Sequence, residues 1–376
     1  MGFLPNFVCC IEFQIKHLYI VLDYLIVGQG LAGSVLGYEL LSKGKKIIVI
    51  NDETQASSSK VAGGLFNPIT GKNLSLTWLY SKLFPTLLSF FEELEKKFDT
   101  QLLYHSDIYR PFANEEQKKH FSKQIERNDL EDFIKVLAET PYNELITNGL
   151  GGMLTHEAGW LDLPLLLELL REYFISNDAY IFEKFNHADL QIFENQVVYK
   201  NIVAEKIIFC EGYYAAQNPL FNWLPYNPVK GETLVASIDG YSVKETVNQG
   251  AWILPIKNNL FRFGATYVWD DLTWGTTTSG RELLTEKVQK FLKLPFTIVD
   301  QLAGIRPATK DRRPFLGSHP AHPHVLIFNG LGTKGVSLAP YFAKQLVDYM
   351  ENQKEINSEA NIKRYYSLYS SIEKTI

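Results

Sequence analysis

Residues 24–52 read "YLIVGQGLAGSVLGYELLSKGKKIIVIND", and the punctuation of this stretch decides the fold. An apolar run, Leu25 to Val27, leads into Gly28, Gly30 and Gly33; a helical stretch follows, and then a second apolar run from Ile47 to Ile50. Gly28 permits the tight turn out of the strand, Gly30 lets the backbone approach a pyrophosphate, and Gly33 lets helix and strand pack closely. The helix N-terminus then turns free N–H groups and the positive end of its dipole toward the anion. A lone G-x-G-x-x-G is a weak signal that a chance glycine turn can mimic. Here strand, glycines, helix and second strand come in order, which favours a nucleotide site.

An acid at the end of the second strand ordinarily accepts hydrogen bonds from the ribose hydroxyls. That position, 23 residues after Gly28, is Asn51, followed by Asp52 and Glu53. An amide accepts from a hydroxyl without charge assistance. Asn51 is therefore expected to grip the ribose more loosely, and Asn51→Glu to tighten it. Asp52 takes the role instead if the strand ends one residue later. Acidic neighbours and the lack of a nearby arginine disfavour the 2′-phosphate of NADP, leaving FAD and NAD.

The 376 residues suffice for two domains, and 46% apolar with 21% charged residues is the composition of a globular protein. A net charge of −5 gives no basic footprint for DNA, tRNA or anionic membrane. Three cysteines, Cys9, Cys10 and Cys210, form neither a disulfide framework nor a metal cage, so no metal is expected and a cytoplasmic location is the simplest. Residues 1–20 read as an N-terminal extension or a start assigned too far upstream. The apolar N-terminal stretch is broken by Glu12, Lys16 and Asp23, so it lacks the ~20 unbroken residues of a membrane span.

Downstream, "ASSSKVAGGLFNP" (56–68) is a Ser/Gly-rich loop, and 75–98 has the apolar spacing of an amphipathic helix. "GWLDLPLLLELLREYF" (159–174) is a second helix, with Asp162 as cap and Pro164 in the first turn. Residues 178–212 and 228–275 turn to β pattern, "GRELLTEKVQKFL" to helix, and "VLIFNGLGTKGVSLAPYFAKQLVDYM" (325–350) to strand, glycine turn and helix. Nucleotide-type features thus stand near both ends with β-rich material between. The expected fold class is α/β, a discontinuous Rossmann-type cofactor domain with a parallel sheet (21–95, 150–225, 300–376). Into it is inserted an α+β substrate domain with a largely antiparallel sheet (96–149, 226–299).

Five further segments, in order, resemble the D-amino-acid oxidase and glycine oxidase superfamily of FAD-dependent oxidoreductases. "SSSKVAGGLFNP" is similar to its Ser-x-x-x-x-Gly loop, with Ser59 and Gly64 in the matching places. "EAGWLDLPLLLELL" looks like its Gly-x-hydrophobic-Asp helix entry, and "KIIFCEG" like the strand ending in Ala-x-Gly, with Cys210 in place of the alanine. "YNPVKGETLV" with "AWILPIKNNLFRFGATY" resembles the substrate-domain hairpin. "AGIRPATKDRRPFLG" and "NGLGTKGVSLAP" resemble the pair that encloses the isoalloxazine ring. The resemblance covers about 22–350 and implies FAD rather than NAD.

It also implies positions. At the cofactor it places Gly28, Gly30, Leu31, Ala32 and Gly33 of the first turn, and Asn51 or Asp52 at the ribose. From the serine loop it adds Ser58, Ser59, Lys60, Gly63, Gly64 and Leu65, and behind the ring Cys210, Glu211 and Gly212. From the C-terminal pair come Arg306, Gly330, Gly332, Thr333, Lys334, Gly335 and Val336. Sarcosine oxidases link flavin to a cysteine whose match here is Gly304, which implies non-covalent FAD.

Arg306, on a path stiffened by prolines, suits bidentate recognition of a carboxylate and matches the arginine that binds the substrate carboxylate in glycine oxidases. The competing reading is a structural ion pair with Asp311. Lys334 lies in the flavin-facing turn or is simply solvated. Arg262 matches a lysine that sarcosine oxidases carry near the flavin, or is a surface arginine, and Trp252 lines the substrate pocket or belongs to the core. Cys210 reads as a small buried hydrophobe.

The implied activity is FAD-dependent oxidation of the C–N bond of a small amino or imino acid of the glycine, sarcosine or D-amino-acid type. A hydride would leave the α-carbon for flavin N5, and O2 or another acceptor would take the electrons. No general acid or base is nominated. Two alternatives stay open. One is the flavin half of a tRNA wobble-uridine enzyme, whose substrate is a carboxymethylaminomethyl-type nucleoside; the missing methyltransferase half and the negative charge count against it. The other is a non-catalytic FAD-binding protein. Substrate and oligomeric state are not readable from the sequence.

Overall fold

The computed structural model of the chain describes residues 20–373. The expected N-terminal extension, with Cys9 and Cys10, lies almost wholly outside the described residues. The opening motif folds as its pattern requires: strand Ile20–Val27, helix Leu31–Ser42, strand Ile47–Asn51. Gly28 has φ +99, a conformation side chains avoid, and a Cβ on Gly33 would lie 1.9 Å from the Gly28 carbonyl oxygen. Helix and strand touch there because residue 33 has no side chain.

Eight strands among the described residues form the first sheet. Its parallel centre runs Tyr180–Phe182, Ile47–Asn51, Ile20–Val27, Ile202–Phe209, Val325–Asn329. Phe315–Ser318 adds an antiparallel edge, and the Leu190–Ile192/Val197–Tyr199 hairpin branches from the start of Ile202–Phe209. Helices Leu31–Ser42, Tyr80–Phe98, Leu163–Ser176 and Gly335–Asn352 supply the main core. Asp162 accepts from Leu165 N–H with Pro164 in the first turn, as the cap signal predicts. Phe174 is fully buried against Gly37, where a Cβ would sit 2.9 Å from the ring.

The second sheet also has eight strands among the described residues, all antiparallel neighbours except Thr246–Asn248 with Ile108–Pro111. It runs Thr297–Arg306, Val229–Ser237, Leu260–Gly264, Trp252–Pro255, Thr246–Asn248, Ile108–Pro111, Gly152–Thr155, Ile134–Leu137. Gly152–Thr155, just beyond the expected boundary at 150, and Thr297–Arg306, which straddles the one at 300, both hydrogen-bond into this sheet. One expected helix is shorter than its pattern. The helix of 75–98 begins at Tyr80, because Ser75–Leu76 pairs with Ile69–Thr70 and Leu79 takes φ +55, which breaks helical continuity. No helix among the described residues is long and apolar enough to cross a membrane.

Candidate active site

The two sheets enclose a cavity of about 550 Å³, lined from both sides. At one end is the glycine turn. Its helix opens with N–H groups that have no intrahelical partner, and Ser59 Oγ accepts one of them, from Leu31, at 3.1 Å. Buried Gln29 pins the turn by donating to Leu167 O at 2.9 Å and Ser34 Oγ at 3.0 Å. Cys210 lies directly behind it, 4% exposed, its carbonyl oxygen 2.7 Å from where a Gly28 Cβ would be. Burial pushes the Cys210 thiol far above its ordinary range, as befits an inert small hydrophobe.

At the acid end, polar groups of the chain engage Asn51 and Asp52. Asn51 Oδ1 accepts from Gln29 N–H at 2.9 Å, and its Nδ2 lies 3.3 Å from Glu53 Oε1. Asp52 accepts from Thr54 N–H at 2.9 Å and Thr54 Oγ1 at 2.6 Å, bonds that hold its carboxyl below the usual range. Asn51 and Asp52 both line the cavity, while Glu53 is turned away to Tyr180, Lys60 and Arg171.

The serine loop is clamped between the sheets. Ser58 Oγ donates to the Ile305 carbonyl, and a Cβ on Gly304 would meet Val61 Cγ2 at 2.6 Å. Gly64, at φ +68, leaves no room for a side chain beside the Leu161 carbonyl, 2.0 Å from a Cβ. Trp252 is wedged between Gly63 and Gly264, where Cβ atoms would lie 2.9 and 2.3 Å from its ring, and it lines the cavity. Arg262 does not. It donates to Ala62 O at 2.8 Å from the outer side of the loop, and burial lowers its pKa. Its geometry is that of a brace for the loop.

Arg306 ends the strand Thr297–Arg306 and faces the cavity. The guanidinium packs against Gly231 on one side and lies 4.4 Å from the centre of the Tyr267 ring on the other; Nη1 is 3.3 Å from Thr266 O. Burial depresses its pKa, partly offset by Tyr267. The expected alternative partner, Asp311, is engaged elsewhere, accepting from Arg364 Nε at 2.9 Å. A desolvated guanidinium with no carboxylate partner among the described residues, opening on a cavity, is built to receive an anion.

Next to the glycine-turn helix is the N-terminus of Gly335–Asn352, where a Cβ on Gly335 would lie 3.2 Å from Leu31 Cδ2. Leu331, Gly332, Thr333, Gly335 and Val336 line the cavity there, and Gly330 (φ +75) and Gly332 (φ +55) shape the turn before it. Lys334 stands at the N-cap position of this helix, outside the lining, and burial lowers its ammonium to about 8. Residues in the serine loop (Ser58, Ser59, Lys60, Gly63, Gly64, Leu65) and behind the strand (Cys210, Glu211, Gly212) all line the cavity, as do Gly28, Gly30, Leu31 and Ala32; Gly33 packs beneath. Sequence reading gave no role to Gly231 and Tyr267, although both lie in the quoted hairpin segments, and missed Trp274, which no motif marks.

The cavity fits FAD. Gly28, Gly30, Leu31 and Ala32 present the glycine turn to it, two helix N-termini, at Leu31 and Gly335, open on it, and the apolar floor at Cys210 backs it. Among the described residues no cluster of three His, Cys, Asp or Glu side chains could hold a metal.

Comparison with known proteins agrees. The profile of the FAD dependent oxidoreductase family, DAO, matches residues 23–349. Glycine oxidase of Bacillus subtilis strain 168 is 32% identical over 135 residues, a match covering 35% of this chain and 36% of that enzyme. The match thus spans about a third of that curated relative. Among solved structures, glycine oxidase of Geobacillus kaustophilus superposes with TM-score 0.75 at 21% identity, covering 89% of this chain and 96% of the other. Iminodiacetate oxidase of Chelativorans sp. BNC1 gives 0.74 at 19%, covering 91% and 98%.

Proposed function

This chain belongs to the FAD dependent oxidoreductase family, and from that premise we propose that it oxidises the C–N bond of a small amino or imino acid. The observation that carries the proposal is Arg306, an unpaired guanidinium seated between Gly231 and Tyr267 at the cavity wall. Its fork would bind the substrate carboxylate, and its fixed position would set where the α-carbon lies. Trp252 and Tyr267 would wall the remainder of the substrate and exclude water.

FAD, when bound, supplies an acceptor for the two electrons and hydrogen that leave the α-carbon. The N–H groups of the glycine turn and of Ala32 and Gly33 would hold its pyrophosphate, Asn51 or Asp52 its ribose, and the Gly332–Val336 turn the ring end. No acid or base is needed at the substrate beyond deprotonation of its ammonium to the amine, whose lone pair assists departure of the α-hydrogen. The resulting imine adds water to give an oxo acid and ammonia or an amine. The electrons would pass to O2 or another acceptor.

An anaerobic titration of the purified flavoprotein with glycine, sarcosine, D-amino acids and D-proline tests this. Bleaching of the flavin band by one or more is expected; an unchanged band with every carboxylate-bearing amine refutes it.

A further inference from the structure

The segment between Leu260–Gly264 and the helix Thr278–Gln289 belongs by chain to the second sheet, yet it reaches across to the other wall of the cavity. Trp274 stacks on Tyr214, centroids 5.8 Å apart and planes at 22°, and meets Tyr213 edge-on at 5.9 Å. Both tyrosines sit in the 3-10 turn Gly212–Gln217, which follows the strand Ile202–Phe209 of the first sheet. All three rings line the cavity. The turn follows Glu211, whose Cα lies 3.4 Å from where a Gly28 Cβ would be, so the stack stands beside the glycine turn, in the cavity that Asn51 and Asp52 also line.

A surface loop holds a tryptophan in one place only if something anchors it, and the anchor here is buried. Lys230 is 0% exposed and donates from Nζ to Asp271 Oδ2 at 2.5 Å and Thr273 Oγ1 at 3.3 Å. Asp271 Oδ1 accepts from Thr273 N–H at 2.9 Å, one residue before Trp274. A buried ammonium is costly without its partner, so this pair commits the loop to one position. Upstream, Lys230 and Val268 exchange backbone bonds of 2.9 and 3.0 Å; downstream, Thr277 N–H donates to Glu232 at 2.9 Å.

We infer that the Trp274–Tyr214 stack is a clasp that retains FAD, closing the cavity over the adenosine half of the cofactor. It adds to the hold at position 51, where a neutral amide stands in place of an acid and one acceptor site of Asn51 Oδ1 is taken by Gln29 N–H. Lys230 and Asp271 act through Trp274 as positioning residues. The inference rests on FAD being the cofactor.

The test is flavin release from the purified holoenzyme, read as the rise in free-flavin fluorescence after dilution, for wild type, Trp274→Ala, Trp274→Phe and Asp271→Asn. Loss of the stack is expected to speed release about tenfold. Trp274→Phe, which keeps an aromatic face, should stay near wild type. Asp271→Asn, which touches no cavity atom, should shift release in the same direction as the alanine variant. Equal release from wild type and Trp274→Ala overturns the clasp, and so does a phenylalanine variant that leaks as fast as the alanine one. A wild-type protein that takes up no FAD at all refutes the cofactor assignment itself, and the clasp with it.

Discussion

Gly231 and Arg306 lie on adjacent strands so that the guanidinium fills the space a side chain at 231 would need: a Cβ there would be 2.1 Å from Nη2. The glycine thereby seats the arginine against Tyr267 with its fork toward the cavity. Replacing Arg306 by Leu removes the fork while leaving the glycine turn untouched. The expected loss in kcat/KM for carboxylate-bearing amines is about 100-fold or more, with the FAD absorbance retained. A variant within threefold of wild type would place the carboxylate elsewhere.

Gly231→Ala tests the seat itself. In a strand interior alanine is ordinarily tolerated or mildly favourable, by about 0.5–1 kcal/mol. Here it must push the guanidinium aside. A rise in KM of about tenfold, with thermal stability lowered by no more than about 1–3 kcal/mol, is the overpacking outcome. An unchanged KM would mean that Arg306 binds substrate from another pose.

Asn51→Glu should not tighten FAD, contrary to what the position alone suggests. The added carboxylate would stand beside Glu53, whose oxygen is 3.3 Å from Asn51 Nδ2. Like charges at that range disfavour each other. Weaker FAD binding is expected for Asn51→Glu, with recovery in Asn51→Glu/Glu53→Gln, both read by flavin fluorescence quenching. Tighter binding in the single variant would show that Glu53 is not felt at the ribose.

Lys334 gives a pH signature. Its ammonium is lowered from 10.5 to about 8 in the folded protein. The unfolded chain therefore binds more protons between those values, and stability rises with pH across that window. Below pH 8 the burial penalty is felt in full. Lys334→Met is expected to melt above wild type at pH 7 as apoprotein, with the gap closing from pH 8 to 10.5. A gap that stays constant with pH would assign the difference to packing alone.

Much of the architecture was legible along the chain. The glycine turn, the Asp162–Pro164 helix start and the closing strand–turn–helix are local, set by φ preferences, caps and apolar period within a few residues. The helix of 75–98 was misjudged at its start because apolar period does not register the pairing of Ser75–Leu76 with Ile69–Thr70 or the left-handed Leu79. Arg262 could not be placed from its motif, since only the packed sheets show its guanidinium on the outer side of the serine loop at Ala62.

The βαβ nucleotide unit is legible in the chain alone, because the positive φ of Gly28 and the contact of Gly33 with the Gly28 carbonyl are local. The sequence also marked Arg306 as a candidate. Tertiary structure decided that Asp311 is taken by Arg364, that Arg306 is left free between Gly231 and Tyr267, and that Asn51 is tied to Gln29. It also brought Trp274 onto Tyr214 across sixty residues of chain. These are long-range pairings. They depend on which strands lie side by side and which charges find partners first, and no spacing along the chain encodes that competition.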